Sequence, residues 1–324
     1  MATYYVATTG NDYSDGTSWD QAFRTLEKAS RIARTSGDII IIRAGTYLPP
    51  NPYLIGTNTS TGYVPATGTT WQFEHWDTEI ASVIIKGNST HHGMWSDYGG
   101  LPSNPTTVTY KGIWFAERYW CNGVPTAVNC IYQSTTDPTL EGSWTAGSVN
   151  AFRANSNAVA ENCLFVSPDN GSAAYARGEF SAKNCTFVLA GDGDYETGGI
   201  YCLSAKDFVM YDCIFFAEYS DTVVAALGAE YIHGYDSPPG PYINSYTGDY
   251  NCFYGLTEGA TTPYRWTFGD VYADTRTFAA FQAEVTGEVG AGGEFLIARL
   301  GIPKTQGVGD LVLIADDRHI IWNG

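Results

Sequence analysis

Residues 160–188, AENCLFVSPDNGSAAYARGEFSAKNCTFV, state one short pattern twice: Glu161-Asn162-Cys163-Leu164-Phe165, then Lys183-Asn184-Cys185-Thr186-Phe187. It recurs downstream as Tyr211-Asp212-Cys213-Ile214-Phe215 and Tyr250-Asn251-Cys252-Phe253-Tyr254. Upstream stand Val128-Asn129-Cys130-Ile131-Tyr132 and a diverged Lys111-Gly112-Ile113-Trp114-Phe115. Each copy runs polar, then Asn, Asp or Gly, then a small buried residue, then apolar and aromatic. The copies are unevenly spaced while the unit itself is short and strand-like. That combination predicts a solenoid whose loops vary around a repeated core strand. Apolar pairs, Ala151-Phe152, Ala174-Tyr175 and Ile200-Tyr201, precede three of the cysteines, so each coil carries at least two strands. Parallel stacking repeats equivalent side chains every 4.8 Å or about that. Asn162, Asn184 and Asp212 then fall at one turn of adjacent coils, where stacked amides predict an Asn ladder.

The bulk numbers agree with this. Of 324 residues 44% are apolar and 16% charged, and 23 Tyr with 15 Phe and 36 Gly lean toward β structure. Net charge is −17, from 34 acidic against 17 basic residues. Such a surface repels phosphates and anionic lipid, so the expected partners include no nucleic acid and no membrane. The 7 cysteines show no Cys-x-x-Cys spacing. They read as reduced, small core residues, which tells against maturation under oxidising conditions. The opening residues MATYYVATTG lack the basic and apolar regions of a signal peptide, and no apolar run is long enough to span a bilayer.

At the front, a short strand Tyr4-Tyr5-Val6-Ala7 leads into the turn-rich Gly10–Gly16. Thr17 or Ser18 is the expected cap of a helix over Trp19–Thr35, with Trp19, Ala22, Phe23, Leu26, Ala29, Ile32 and Ala33 on one buried stripe and Gly37 ending it. Ile39–Ile42 predicts a strand buried on both sides, and Ala44–Tyr47 a turn away from it. This run, YYVATTGNDYSDGTSWDQAF…GDIIIIRAGTY, resembles the opening segment of right-handed parallel β-helix proteins of the pectate-lyase-like superfamily, which includes many phage tailspikes. The resemblance implies an all-β solenoid, a single-stranded right-handed parallel β-helix, with an N-terminal capping helix and a small C-terminal closing element. The expected organisation is residues 1–47 as cap and first coil, 48–275 as β-helix with long loops, and 276–324 as a closing or oligomerisation segment. Within the last, Thr277–Gly287 reads as a short helix, and Phe295–Ala298 and Leu311–Ala315 as strands.

Candidate chemistry sits outside the repeat. Asp192, Asp194 and Glu196 alternate in one loop and are candidate calcium ligands; no other cofactor and no catalytic set is indicated. Arg153 and Arg177 lie beside the apolar pairs of their coils, with Glu161 and Glu179 the nearest acids in sequence. Lyases of this fold pair an Arg or Lys base with carboxylates, although such residues also serve as solvated ion pairs. Trp71, Trp76, Trp95, Trp120, Trp144 and Trp266 read as loop aromatics able to stack on sugars or fill a protein interface, loops 66–79 and 91–98 forming one patch. Asp77, Glu79 and Asp97 are the carboxylates nearest that patch, and His91-His92 has no triad partner in a recognised motif.

Two functions of different class follow as expectations. The resemblance to tailspikes, the thiols and the missing leader imply a virion structural protein: a trimeric β-helix spike or capsid decoration protein of a tailed phage. It would be made in the host cytoplasm, would partner copies of itself and capsid proteins, and would touch host-surface polysaccharide. The alternative on the same fold is a polysaccharide lyase or glycoside hydrolase.

Overall fold

The computed structural model describes residues 1–47, 66–79, 81–86, 94–96, 107–116, 119–121, 124–133, 149–154, 157–166, 171–176, 178–189, 197–203, 206–217, 224–230, 243–249, 252–254, 264–265, 275–276, 312–315 and 318–321. They fall into two compact units, Met1–Ser143 with Phe152–Val159, and Trp144–Ala151 with Ala160–Gly324.

In the first unit the chain winds through three strand series, each parallel throughout. Thr3–Val6, Ile39–Ile42, Thr69–Phe73, Thr107–Lys111 and Val124–Val128 lie side by side in that order. Gly45–Tyr47, Val83–Ile85, Ile113–Phe115 and Ile131–Gln133 make the second series. The third joins Met94–Ser96, Tyr119–Cys121 and residues 152–154. Alternation puts one face of every strand inside: Ile40, Trp71, Tyr110 and Ala127 stand in register, each at most 1% exposed. Rings continue this core, with Phe115 stacked on Tyr132 at 4.8 Å and Tyr132 edge-on to Phe152 at 4.9 Å.

The second unit repeats the plan. Phe180–Lys183, Lys206–Tyr211 and Ile243–Asp249 pair in parallel, as do Leu164–Val166, Thr186–Leu189, Ile214–Ala217 and Cys252–Tyr254. Gly171–Ala176, Thr197–Leu203 and Val224–Glu230 form the third series. Phe165, Phe187, Phe215 and Phe253 share one register column, and the first two rings stack at 4.8 Å and 5°. Such a stacked pair adds about 0.5–1.5 kcal/mol to its burial. Both units are therefore coils of an all-β, parallel β-helix solenoid.

The repeated Asn/Asp/Gly position now has a physical reason. Gly112 and Asn129 in the first unit have φ of 64° and 54°; Asn162, Asn184 and Asp212 in the second have 53°, 52° and 55°. Only Gly, Asn and Asp enter this left-handed region readily. The turn is held from both sides: Asn162 N–H donates to the Lys183 carbonyl, Asn184 N–H to Tyr211, and Thr186 N–H to Cys163. The side-chain ladder is less complete than expected, because Asn162 Oδ1 accepts no hydrogen bond among the described residues. Backbone conformation is what selects these residues.

Register corrects the last repeat. Cys252 pairs with Ile214, not with Cys213, and Asp249 pairs with Tyr211, so the last copy stands one position out of step with the sequence alignment.

The cap differs from the expected helix. Residues Trp19–Gln21 form a single 3-10 turn and the α-helix is only Leu26–Ile32. Phe23 instead bridges to Val6, and the Asp12 carboxylate takes the N–H groups of Arg24 and Thr25 and the Thr25 hydroxyl. Thr25, rather than Thr17 or Ser18, is the N-cap, accepting from Lys28 N–H at 3.1 Å. Ala33 ends the helix, Gly37 belongs to the next turn at φ 90°, and Ile32 stays 40% exposed. Ile39–Ile42 is fully buried on one face and half-buried on the other. Thr277–Gly287 and Phe295–Ala298 lie outside the described residues, while Val312–Ala315 pairs antiparallel with Arg318–Ile321. No helix among the described residues is long and apolar enough to cross a membrane.

Candidate functional site

Trp71 is no loop aromatic. It is fully buried in Thr69–Phe73, and its indole N–H has no hydrogen-bond partner among the described residues. Trp76 sits half-buried in the turn after that strand, under Lys111 Nζ at 4.2 Å from its ring. Its carbonyl accepts from Asn129 Nδ2 at 2.9 Å, and a Cβ on Gly112 would meet Trp76 Cβ at 2.7 Å. The Trp76 turn thus covers the solenoid's own turn and fixes it in place. Asp77 and Glu79 are exposed on the same segment. Trp144, Trp266, His91, His92, Asp97, Arg177 and the acids Asp192, Asp194 and Glu196 lie outside the described residues. Among those described, no group of three or more His, Cys, Asp and Glu could hold a metal ion.

The third series brings three singled-out residues together. Trp95 pairs with Trp120, and Trp120 with Arg153, so the three occupy one column of adjacent parallel strands. Within the last strand, Phe152 and Ala154 are buried and Arg153 between them is half-buried. Strand alternation therefore assigns the Arg153 position to the outer face of the sheet. The carboxylates lie on another series: Glu161 closes Ala158–Glu161, and Glu179 directly precedes Phe180–Lys183. Sequence spacing did not reveal this column, because loops of unequal length separate its members.

A second group escaped the sequence reading at the cap. Arg43 packs 4.0 Å above Trp19, lies 3.4 Å from Glu74, and Trp19 meets Tyr5 edge-on at 4.8 Å. These contacts pin the opening turn to the first strands, the exposed ion pair itself contributing about 0–1 kcal/mol. Tyr47 is held protonated beneath this group: burial raises its phenol, which donates to the Arg43 carbonyl at 2.8 Å.

The cysteines form the most regular set. Cys130, Cys163, Cys185 and Cys213 are buried and form no disulfide, and each thiol donates to the carbonyl two residues earlier, at 3.4 Å for Cys130 and 3.3 Å for the others. Burial pushes the Cys185 thiol up, but the neighbouring Cys163 and Cys213 thiols bring it well below the ordinary thiol range. Cys213 moves the opposite way, raised by burial and by Cys185.

Coils of parallel strands with left-handed turn residues and an aromatic interior define a parallel β-helix. Among solved structures the chain is similar to pectate lyase Pel9A, at 14% identity and TM-score 0.45, covering 78% of this chain and 62% of that one. It is also similar to a rhamnogalacturonan lyase, at 13% identity and TM-score 0.40, covering 78% and 68%. A third similarity, to XylC in complex with xylose, has 10% identity and TM-score 0.26 over 78% and 68%. The chain spans about three fifths of the pectate lyase's length, 62%. Likeness at this level concerns the fold and leaves activity open. No protein-family profile matches the chain. No curated protein matches it either.

Proposed function

We propose that the chain is a virion structural protein of a tailed phage, a β-helix spike or capsid decoration protein whose third strand series contacts host-surface glycans. The observation that carries the glycan contact is the column Trp95–Trp120–Arg153. Parallel strands repeat every 4.8 Å or about that, so an extended sugar chain laid along the coils meets one member of the column per step. Indole rings offer flat apolar faces to pyranose C–H groups, and a guanidinium offers paired donors to hydroxyls or a uronate carboxylate. The buried thiols Cys130, Cys163, Cys185 and Cys213, which form no disulfide, support folding in a reducing host cytoplasm, and assembly as a homotrimer would give such a spike closed threefold symmetry.

The test is incubation of the purified chain with host-surface polysaccharides, with and without calcium, reading retention on immobilised glycan, unsaturated products and new reducing ends together. Retention without turnover, reduced tenfold or more by Trp120→Ala or Arg153→Ala, supports the reading. Turnover lost in Arg153→Ala replaces it with a polysaccharide-degrading enzyme, and absence of retention removes the glycan contact. Imaging of virions then decides the particle role by whether the chain occupies a fixed, symmetric position.

A further inference from the structure

Building on the homotrimer proposed above, we infer that the basic outer face of the cap helix docks against the acidic 74–79 turn of a second copy of this chain, three such contacts closing a ring. On a chain of net charge −17, residues 24–34 hold Arg24, Lys28, Arg31 and Arg34 against Glu27 alone, a local net of +3. They are 4 of the 17 Lys and Arg residues, so the minority charge is gathered on one element. The helix Leu26–Ile32 buries Leu26, Ala29 and Ser30, which turns Lys28 and Arg31, three positions apart, to the solvent side. Arg24 and Arg34 extend the exposed cations past both helix ends. Ile32, one turn beyond Lys28, is 40% exposed and sets an apolar side chain among them.

The turn after Thr69–Phe73 is the complement. Residues 74–79 carry Glu74, Asp77 and Glu79 and no Lys or Arg, a local net of −3. Asp77 and Glu79 are exposed, and the Trp76 ring sits half-buried among the three acids. The turn is set before any partner arrives: Trp76 N–H donates to the Phe73 carbonyl at 3.3 Å, Glu79 N–H to His75 at 2.9 Å, and Asn129 Nδ2 to Trp76 at 2.9 Å. Docking such a surface costs little further ordering. Each surface thus places an apolar side chain within a charged rim, and the two rims are opposite in sign. Like charge disfavours pairing either surface with its own copy across a twofold axis. A contact between two different patches closes into a cyclic ring instead, and a threefold ring is one such closure. The acidic remainder of the chain repels duplex nucleic acid and anionic lipid, whereas a second copy supplies the matching acidic surface itself.

The experiment measures the solution mass of the full-length chain by sedimentation velocity and light scattering over a concentration series, with circular dichroism showing that each variant is folded. The expected parent is a trimer at about 0.1 M salt that weakens at about 1 M, where the screening length falls from about 10 Å to about 3 Å. Lys28→Glu/Arg31→Glu and Asp77→Lys/Glu79→Lys each weaken association by about tenfold or more, and Glu27→Gln, which removes the one acid of the basic face, tightens it. All four charge reversals in one chain restore the trimer, a rescue that damage to folding does not produce. Ile32→Ser weakens the trimer and leaves its salt dependence in place. A trimer unaffected by either double variant, or a fourfold variant that stays dissociated, overturns these surfaces and leaves the homotrimer standing. A parent that is a monomer or a twofold dimer overturns both.

Discussion

Replacing Asp212 isolates the reason the repeat carries Asn, Asp or Gly. The residue has φ 55° and its side chain is exposed, so its conformation can be tested almost free of side-chain contacts. An L-residue with a Cβ is disfavoured there by about 1–2 kcal/mol, a penalty Asp and Asn partly relieve and Gly escapes. Asp212→Ala should therefore destabilise the chain by about 1 kcal/mol, while Asp212→Gly should be neutral or stabilising by a few tenths of that scale. Asp212→Asn controls for charge and should lie near the parent. In urea, at a slope of about 3 kcal/mol/M, the alanine variant moves the midpoint down by about 0.3 M with the slope unchanged. Asn184→Ala should fall further, since Asn184 is only 7% exposed and its side chain is part of the packing. If Asp212→Gly loses as much as Asp212→Ala, the left-handed turn is not what selects the residue, and the account of the repeat fails.

Asp38 is 2% exposed and accepts from Ala2 N–H at 2.8 Å and Thr35 N–H at 3.0 Å, so it ties the first strand to the turn after the helix. Asp38→Ala should cost about 2–3 kcal/mol, read by thermal melting, with amide exchange faster at residues 2–6 than in the later coils. Tyr47 predicts a pH dependence. Its folded phenol is raised above the unfolded value of about 10, so its contribution is complete below that pH and declines as pH rises beyond it. Tyr47→Phe should flatten the fall in melting temperature between about pH 10 and pH 11; an unchanged slope would show that another group governs it.

Much of the scaffold is legible in the sequence, and for local reasons. A left-handed turn accepts few residue types, so Gly112, Asn129, Asn162, Asn184 and Asp212 mark it wherever it recurs. The alternation around each mark gives strand and interior, and the slot after it is buried, occupied by a thiol at Cys130, Cys163, Cys185 and Cys213 and by Ile113 in the diverged copy. Helix boundaries were less legible because Asp12, thirteen positions before Thr25 in sequence, captures the N–H groups that an earlier helix would need. The Cys252 slip was hidden because Asn-Cys-Phe-Tyr looks like its predecessors whichever partner it faces.

By itself, then, the sequence determined that the chain coils, where the Gly112, Asn129, Asn162, Asn184 and Asp212 turns fall, and that Cys130, Cys163, Cys185 and Cys213 lie inside. Tertiary structure decided which strand series each aromatic joins. Trp71 and Trp120 look equivalent in sequence, yet one lies in the core of the first series and the other stands in register with Trp95 and Arg153 on the third. The difference arises because a strand's face depends on its register with its neighbours, and register is set only when coils separated by unequal loops are stacked.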